Sequence, residues 1–315
     1  MDKVHNKNII FLKRFLKKRK FDWLNYNLKI EINYFSSGGG THLYLIKNGN
    51  KKFLVRINFF IGKNDWKVKR NEFKILNKIK YLNISPKPYL INEDNPLKQD
   101  FTIVEYIEGK NILSFSEPDI IFIARDLKKL HELFKHKRMN KSNYTCSIYN
   151  EFSEGEDKKI ENYNFKYIKK VFFRYNLIKE NLGEWFNHLS IFNKCKDLCL
   201  CHGDLKKENI LRTKKGIMLI DWECAGVDIP ETDIARLFSG CKFTKKQQDR
   251  FLREYYNSAT SKETLNRILA IRTVLDFFRI IEDYCILKRK KFNVENMLSD
   301  LNKYQKSLDV LKKIL

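Results

Sequence analysis

One stretch constrains this chain more than any other: CHGDLKKENIL, residues 201–211, places a histidine, an aspartate, lysines and an asparagine between apolar runs that ask to be buried. After Asn209, ILRT and GIMLI read as two short strands joined by a turn at Lys214, Lys215 and Gly216. Such a hairpin runs out and back, so it returns Asp221 beside Asn209. Asp204 lies five residues before Asn209 on the lead-in loop. Three oxygen-bearing side chains therefore converge at one open hairpin end.

An aspartate and an asparagine that meet there, with a second aspartate near, suit Mg2+. That hard cation takes carboxylate and carbonyl oxygens and keeps places for phosphate oxygens and water. Asn209 and Asp221 are then the expected metal ligands. Asp204 is left to accept a proton from an attacking hydroxyl, and Lys206, two residues on, to neutralise charge developing on a phosphoryl group. These are the groups that phosphoryl transfer uses.

The rest of the chain supplies a frame for such chemistry. Residues 8–20, NIIFLKRFLKKRK, place Ile9, Leu12 and Leu16 on one helical face with basic residues around the others. That helix is expected to pack on a neighbouring lobe, in preference to lying on a membrane surface. From Leu28 the period changes to two, giving three strands with a glycine-rich turn at SSGGGT and an Asn-Gly turn at 48 and 49. A helix over 65–79, breakers at Pro86 and Pro88, and strands around 89–91 and 101–106 complete a small antiparallel sheet. After Gly109 the pattern turns helical, with Leu127, Leu130 and Leu133 at helical spacing. The run 140–162 reads as a surface loop, and Met297, Leu301, Tyr304, Leu308, Leu311 and Leu315 form one apolar stripe on a last helix.

Composition bounds the function. With 315 residues and 43% apolar content the chain is no disordered polymer. Seven scattered cysteines form no repeated CxxC pairs, which argues against a structural zinc site and for a reducing compartment. The N-terminus lacks the apolar core of a secretory signal, and a cytoplasmic protein is expected. The net charge of +24 goes with over-use of lysine, asparagine, isoleucine and phenylalanine, and no specific nucleic-acid partner is expected from it.

HGDLKKEN fits the catalytic-loop pattern H-x-D-L-x-x-x-N, and LIDWE supplies a second magnesium aspartate, so the sequence resembles the kinase-like superfamily. Upstream residues agree in order. The resemblance makes Ser37, Gly38, Gly39, Gly40 and Thr41 the loop covering the nucleotide phosphates, where glycine lets backbone approach closely. It makes Arg56 on the third strand the phosphate-binding cation, paired with Glu72 of the next helix. It places the adenine against backbone groups of Glu105 and Ile107 in VEYIEG.

No activation segment follows Asp221. Instead LIDWECAGVDIPETDIARLF resembles the signature of the aminoglycoside phosphotransferase and choline kinase family, which acts on small molecules. The implied fold is α+β and two-lobed, with an antiparallel nucleotide lobe over 25–107 preceded by a basic helix over 1–24, and a helical acceptor lobe over 108–315. The implied cofactors are ATP and Mg2+. Within this family His202 and Asp233 buttress the loop. Arginine in place of lysine on strand three is similar to choline and ethanolamine kinases, so a small, cationic amino alcohol is the first expectation for the acceptor. Aminoglycoside or sugar, then protein, then a non-catalytic nucleotide-dependent role are the alternatives. Tyr255, Tyr256, Phe277, Phe278 and Tyr284 are candidates for an aromatic cage, each more readily explained as core. Asp276 and Asp283 can meet a cationic acceptor, although Arg272, four residues before Asp276, is as good a partner.

Overall fold

The computed structural model describes residues 3–38, 41–58, 63–92, 100–137, 169–188, 197–281 and 294–314. Gly39, Gly40, the loop expected over 140–162, Asp283, Tyr284 and Leu315 lie outside the described residues. The chain divides into two compact units, Met1–Phe115 with Glu208–Ala225, and Ser116–Lys207 with Gly226–Leu315.

The first unit is built on an antiparallel five-stranded sheet in the order β1-β2-β3-β5-β4. Its strands are β1 (Ile30–Gly38), β2 (Thr41–Asn48), β3 (Lys51–Asn58), β4 (Pro88–Asn92) and β5 (Phe101–Glu105). In β3 the alternate residues Phe53, Val55 and Ile57 are buried, which turns Arg56 to the opposite face. The β2–β3 turn falls one residue later than the Asn-Gly pair suggests. Asn48 pairs with Lys51, so Gly49 and Asn50 form the turn, and Gly49 takes the positive φ of 60° that a glycine in the first turn position supplies. Asn48 is drawn into the sheet because its side chain accepts from the Asn25 amide at 2.7 Å and donates to the Asn25 carbonyl at 2.9 Å.

Helix α1 (Lys3–Arg19) covers this sheet. Leu12 and Leu16 are fully buried in a core with Tyr44, Ile46, Phe53 and Phe101, and Asn8 donates to the Tyr44 hydroxyl at 2.8 Å. Lys13, Lys17 and Lys18 stay exposed. The helix is thus a packing element of its own unit. Helix α2 (Lys63–Ile79) follows β3. A second small sheet, in the order β10-β9-β6, joins β6 (Lys110–Asn111) to the hairpin β9 (Ile210–Thr213) and β10 (Gly216–Leu219).

The second unit is mainly helical. Helix α3 (Glu117–Leu133) opens with a capping box in which the Ser116 amide donates to Asp119 at 2.7 Å. It buries Ile120, Ile123, Ala124, Leu127 and Leu130. Leu133 departs from the expected apolar stripe and is 52% exposed, because the helix ends there. Strands β7 (His136–Lys137), β8 (Asp197–Cys201) and β11 (Gly226–Asp228) form a three-stranded sheet with β8 in the middle. The other helices of this unit among the described residues are α4 (Lys169–His188), α5 (Pro230–Gly240), α6 (Lys245–Tyr256), α7 (Lys262–Ile281) and α8 (Val294–Ile314). Met297, Leu301 and Leu308 of α8 are fully buried, and Tyr304 donates to the Thr273 carbonyl at 2.7 Å. No described helix is long and apolar enough to cross a membrane.

Burial raises the Asp126 carboxyl of α3 to about 6, against which Lys129 acts only weakly. In the folded chain this group holds its proton more tightly than in the unfolded chain. The resulting penalty on stability is complete above pH 6 and gone below the ordinary carboxylate range. Asp126→Asn is therefore expected to raise stability by about 1–2 kcal/mol at pH 7.5, with the gain fading towards pH 4, as measured by urea unfolding across that range.

Candidate active site

The candidate residues divide between the two units. In the first unit, the β9–β10 hairpin pairs Ile210 with Leu219, and Ile220 donates its amide to the Asn209 carbonyl at 2.9 Å. Asn209 and Asp221 thereby flank the hairpin's open end. Beyond it the chain is pinned by Trp222, which is fully buried and donates its indole N–H to the Leu219 carbonyl at 2.8 Å. Asp221 itself adopts a left-handed backbone, with φ at 66°. Asn209 is 5% exposed, and the carbonyl beside it, that of Glu208, accepts from Asn111 at 3.0 Å.

Arg56 lies among the acidic groups of this face. One guanidinium nitrogen donates to Glu72 at 2.5 Å, while the other lies 3.5 Å from Asp221 and 3.8 Å from Glu223. Burial opposes the charge on Arg56, but Glu72, Asp221 and Glu223 outweigh it and hold the guanidinium protonated more firmly than usual. Lys69 of α2 forms an ion pair with Glu223 and lies 3.7 Å from Glu72. Asn71, on the same helix, donates to the Ala225 carbonyl at 3.2 Å. Among these five groups, three carboxylates meet two cations, so the carboxylates outnumber the cations by one. Burial, then the neighbouring Glu223, raise the Asp221 carboxyl against the pull of Arg56. Hard oxygen donors with a surplus of negative charge fit a divalent cation such as Mg2+.

The remaining first-unit candidates are placed as follows. Gly38 ends β1. The Ser37 hydroxyl is hydrogen-bonded to His42 at 2.6 Å and accepts from Tyr34 at 2.9 Å. Thr41 is buried and donates to Asn58 at 3.2 Å. The Glu105 amide donates to the Lys87 carbonyl at 2.8 Å and that of Tyr106 to the Lys52 carbonyl at 3.1 Å, so Ile107 is where the chain leaves the sheet.

In the second unit, the loop after β8 carries Asp204. Gly203 supplies a positive φ of 80°, and the amides of His202 and Gly203 donate to the two oxygens of Asp233 at 2.8 and 2.9 Å. The Asp204 amide donates to His202 Nδ1 at 3.3 Å. Asp233, on α5, is fully buried. Burial alone would raise its carboxyl, yet the hydrogen bond and charge of His131, with His202 and the Gly203 amide, hold it below the ordinary range. Lys206 donates to Asp204 Oδ2 at 2.5 Å, its side chain 42% exposed against 25% for the aspartate.

Sequence reasoning missed several of these partners. His131 is buried and lies between Asp233 Oδ2 at 3.1 Å and the Tyr255 hydroxyl at 2.7 Å. Since the carboxylate can only accept, Nε2 carries a proton towards Asp233. Ligand atoms of His131, Cys199 and Cys201 lie within 4.8 Å of one another. With both imidazole nitrogens already committed, the group braces helix against strand. The Lys69–Glu223 pair joins residues 154 apart, and nothing in the local pattern announces it. Arg272 does not pair with Asp276 but donates to Gln248 at 3.2 Å.

Residues 31–264 match the phosphotransferase enzyme family, and the chain belongs to that family. Among its relatives is the protein LicA of Haemophilus influenzae, 25% identical over 242 residues, a stretch that makes up 73% of this chain and 64% of that protein. Similar solved structures include the choline kinase LicA of Streptococcus pneumoniae, with a TM-score of 0.61, 21% identity and 95% and 99% of the two chains covered. Another is the ethanolamine kinase of Plasmodium vivax, with a TM-score of 0.59, 16% identity and 96% and 87% covered. A third is spectinomycin phosphotransferase in complex with ADP and spectinomycin, with a TM-score of 0.55, 15% identity and 94% and 93% covered. The kinase-like fold is shared with all three.

Because Asp233 accepts from two loop amides and His131 at once, Asp233→Ala leaves three donors unmatched in the interior. The expected loss is about 3–5 kcal/mol, read from the urea midpoint at unchanged slope.

Proposed function

We propose that the chain transfers the γ-phosphoryl group of ATP to the hydroxyl of a small amino alcohol of the choline or ethanolamine kind. The observation that carries this reading is the guanidinium of Arg56 held between Glu72 and Asp221, on the face where the hairpin presents Asn209 and Asp221. Arg56 binds the nucleotide phosphates, and Glu72 fixes its direction. Asn209 and Asp221 hold Mg2+, which when bound offsets the charge of the phosphate oxygens. The loop of Ser37, Gly38, Gly39, Gly40 and Thr41 covers the phosphates, and the backbone of Glu105 and Ile107 meets the adenine.

Asp204 orients the acceptor hydroxyl and takes its proton as the oxygen attacks phosphorus. Lys206, bonded to that carboxylate, balances charge on the transferring group. The LicA relatives and the choline and ethanolamine kinases among the similar structures support the amino-alcohol acceptor. Arginine on the third strand supports it too. An aminoglycoside is the second reading, favoured by the likeness to aminoglycoside phosphotransferase APH(2'')-Ib, at a TM-score of 0.58.

ADP release with ATP and Mg2+ is expected to rise with choline or ethanolamine and to stay at the acceptor-free rate with sugars and aminoglycosides. Saturation by an aminoglycoside alone would replace the first reading with the second. Asp204→Ala is expected to lower kcat by about 10²- to 10⁴-fold while nucleotide binding, followed by thermal shift, persists.

A further inference from the structure

In the second unit, α5 ends hard against the loop that carries Asp204. A Cβ added at Gly240 would lie 2.6 Å from the Leu205 carbonyl oxygen and 2.9 Å from Lys206 Cα, so backbone meets backbone with no room for a side chain. The residue before it, Ser239, therefore sits at a fixed remove from the loop. Its hydroxyl donates to Asp276 Oδ1 of α7 at 2.7 Å and accepts from Arg279 Nη2 at 3.0 Å. Arg279 Nη1 lies 3.9 Å from the same Asp276 oxygen. Oδ2 of Asp276 has no hydrogen-bond or ion-pair partner among the described residues. The Asp276 side chain is 46% exposed and that of Arg279 36%. A carboxylate with one oxygen committed and one open is thus tied, through Ser239, to the end of α5 that abuts the loop of Asp204, and among the described residues its ion pair is long and solvent-screened.

Among the described residues, three of the rings named as cage candidates, Tyr255, Phe277 and Phe278, are engaged in the core. Tyr255 is bonded to His131 and stacks on Phe251. Phe277 is fully buried, stacked on Tyr175 and packed against Phe278 and Tyr304. Ring faces are what hold a quaternary ammonium, which has no N–H to donate. A primary or secondary ammonium instead donates charge-assisted hydrogen bonds to a carboxylate.

We infer that Asp276, set by Ser239, binds the ammonium group of the acceptor, and that the preferred acceptor is a hydroxylated primary or secondary amine, ethanolamine before choline. This rests on the amino-alcohol reading above. Ser239 fixes the direction of the carboxylate, and Arg279 competes with the substrate for it.

The test measures kcat and KM for ethanolamine, N-methylethanolamine and choline with the full chain and with D276N, D276E and R279Q, each checked by thermal melting. The wild type is expected to rank the three amines in that order by kcat/KM. D276N is expected to raise KM for ethanolamine by about 10-fold or more with kcat changed less than 3-fold, and to flatten the ranking. D276E recovers part of the loss. R279Q lowers KM, the opposite direction, which separates recognition from damage to the fold and stands as the test should D276N not fold. Choline as the best substrate, an unchanged KM in D276N, or a raised KM in R279Q overturns the assignment while leaving the amino-alcohol reading in place. No turnover of any of the three amines removes both.

Discussion

Everything in the first unit that bears on chemistry depends on one arginine. Arg56 is only 16% exposed on its side chain, and an isolated guanidinium so placed would be costly. The cost is offset because Glu72, Asp221 and Glu223 surround it, drawn from a helix and from the segment after the hairpin. The same contacts fix α2 to that segment, with Lys69 and Asn71 adding a second and third tie. A charge network that stabilises the unit thereby also sets out the groups a nucleotide and its metal would meet. Its surplus of carboxylates over cations suits a cation, and the raised Asp221 carboxyl reflects its burial first and the neighbouring Glu223 second.

The second unit solves its problem differently. Its loop of His202, Gly203 and Asp204 lies outside the sheet ladder, and a single buried carboxylate, Asp233, accepts from two of its amides. His131 and Tyr255 extend the chain of bonds into the core. The polar stretch 201–211 is therefore tolerated between apolar strands because each of its buried groups has a specific partner.

The sequence made the sheet-then-helix order plain, because the period of two in β1 to β3 and the helical spacing in α3 and α8 are strong local signals. The hairpin that returns Asp221 next to Asn209 was legible for the same reason, and the motif order carried the family. What escaped were ties between residues far apart in the chain: Lys69 to Glu223, His131 to Asp233, Ser239 to Asp276. Lys69, His131 and Ser239 look like ordinary surface or helix residues in the sequence, and only the packing of elements makes them partners. The Asn48 turn failed in a different way, since a side chain bridging to Asn25 outweighed the local preference of Asn-Gly.

The left-handed backbone at Asp221 has a further consequence. Few residues rest there without strain, and asparagine is among those that do. Asparagine is also one base transition from aspartate in the genetic code. A lineage can therefore exchange this carboxylate for an amide at almost no conformational penalty, keeping the backbone of the hairpin's exit while removing one charge from beside Arg56.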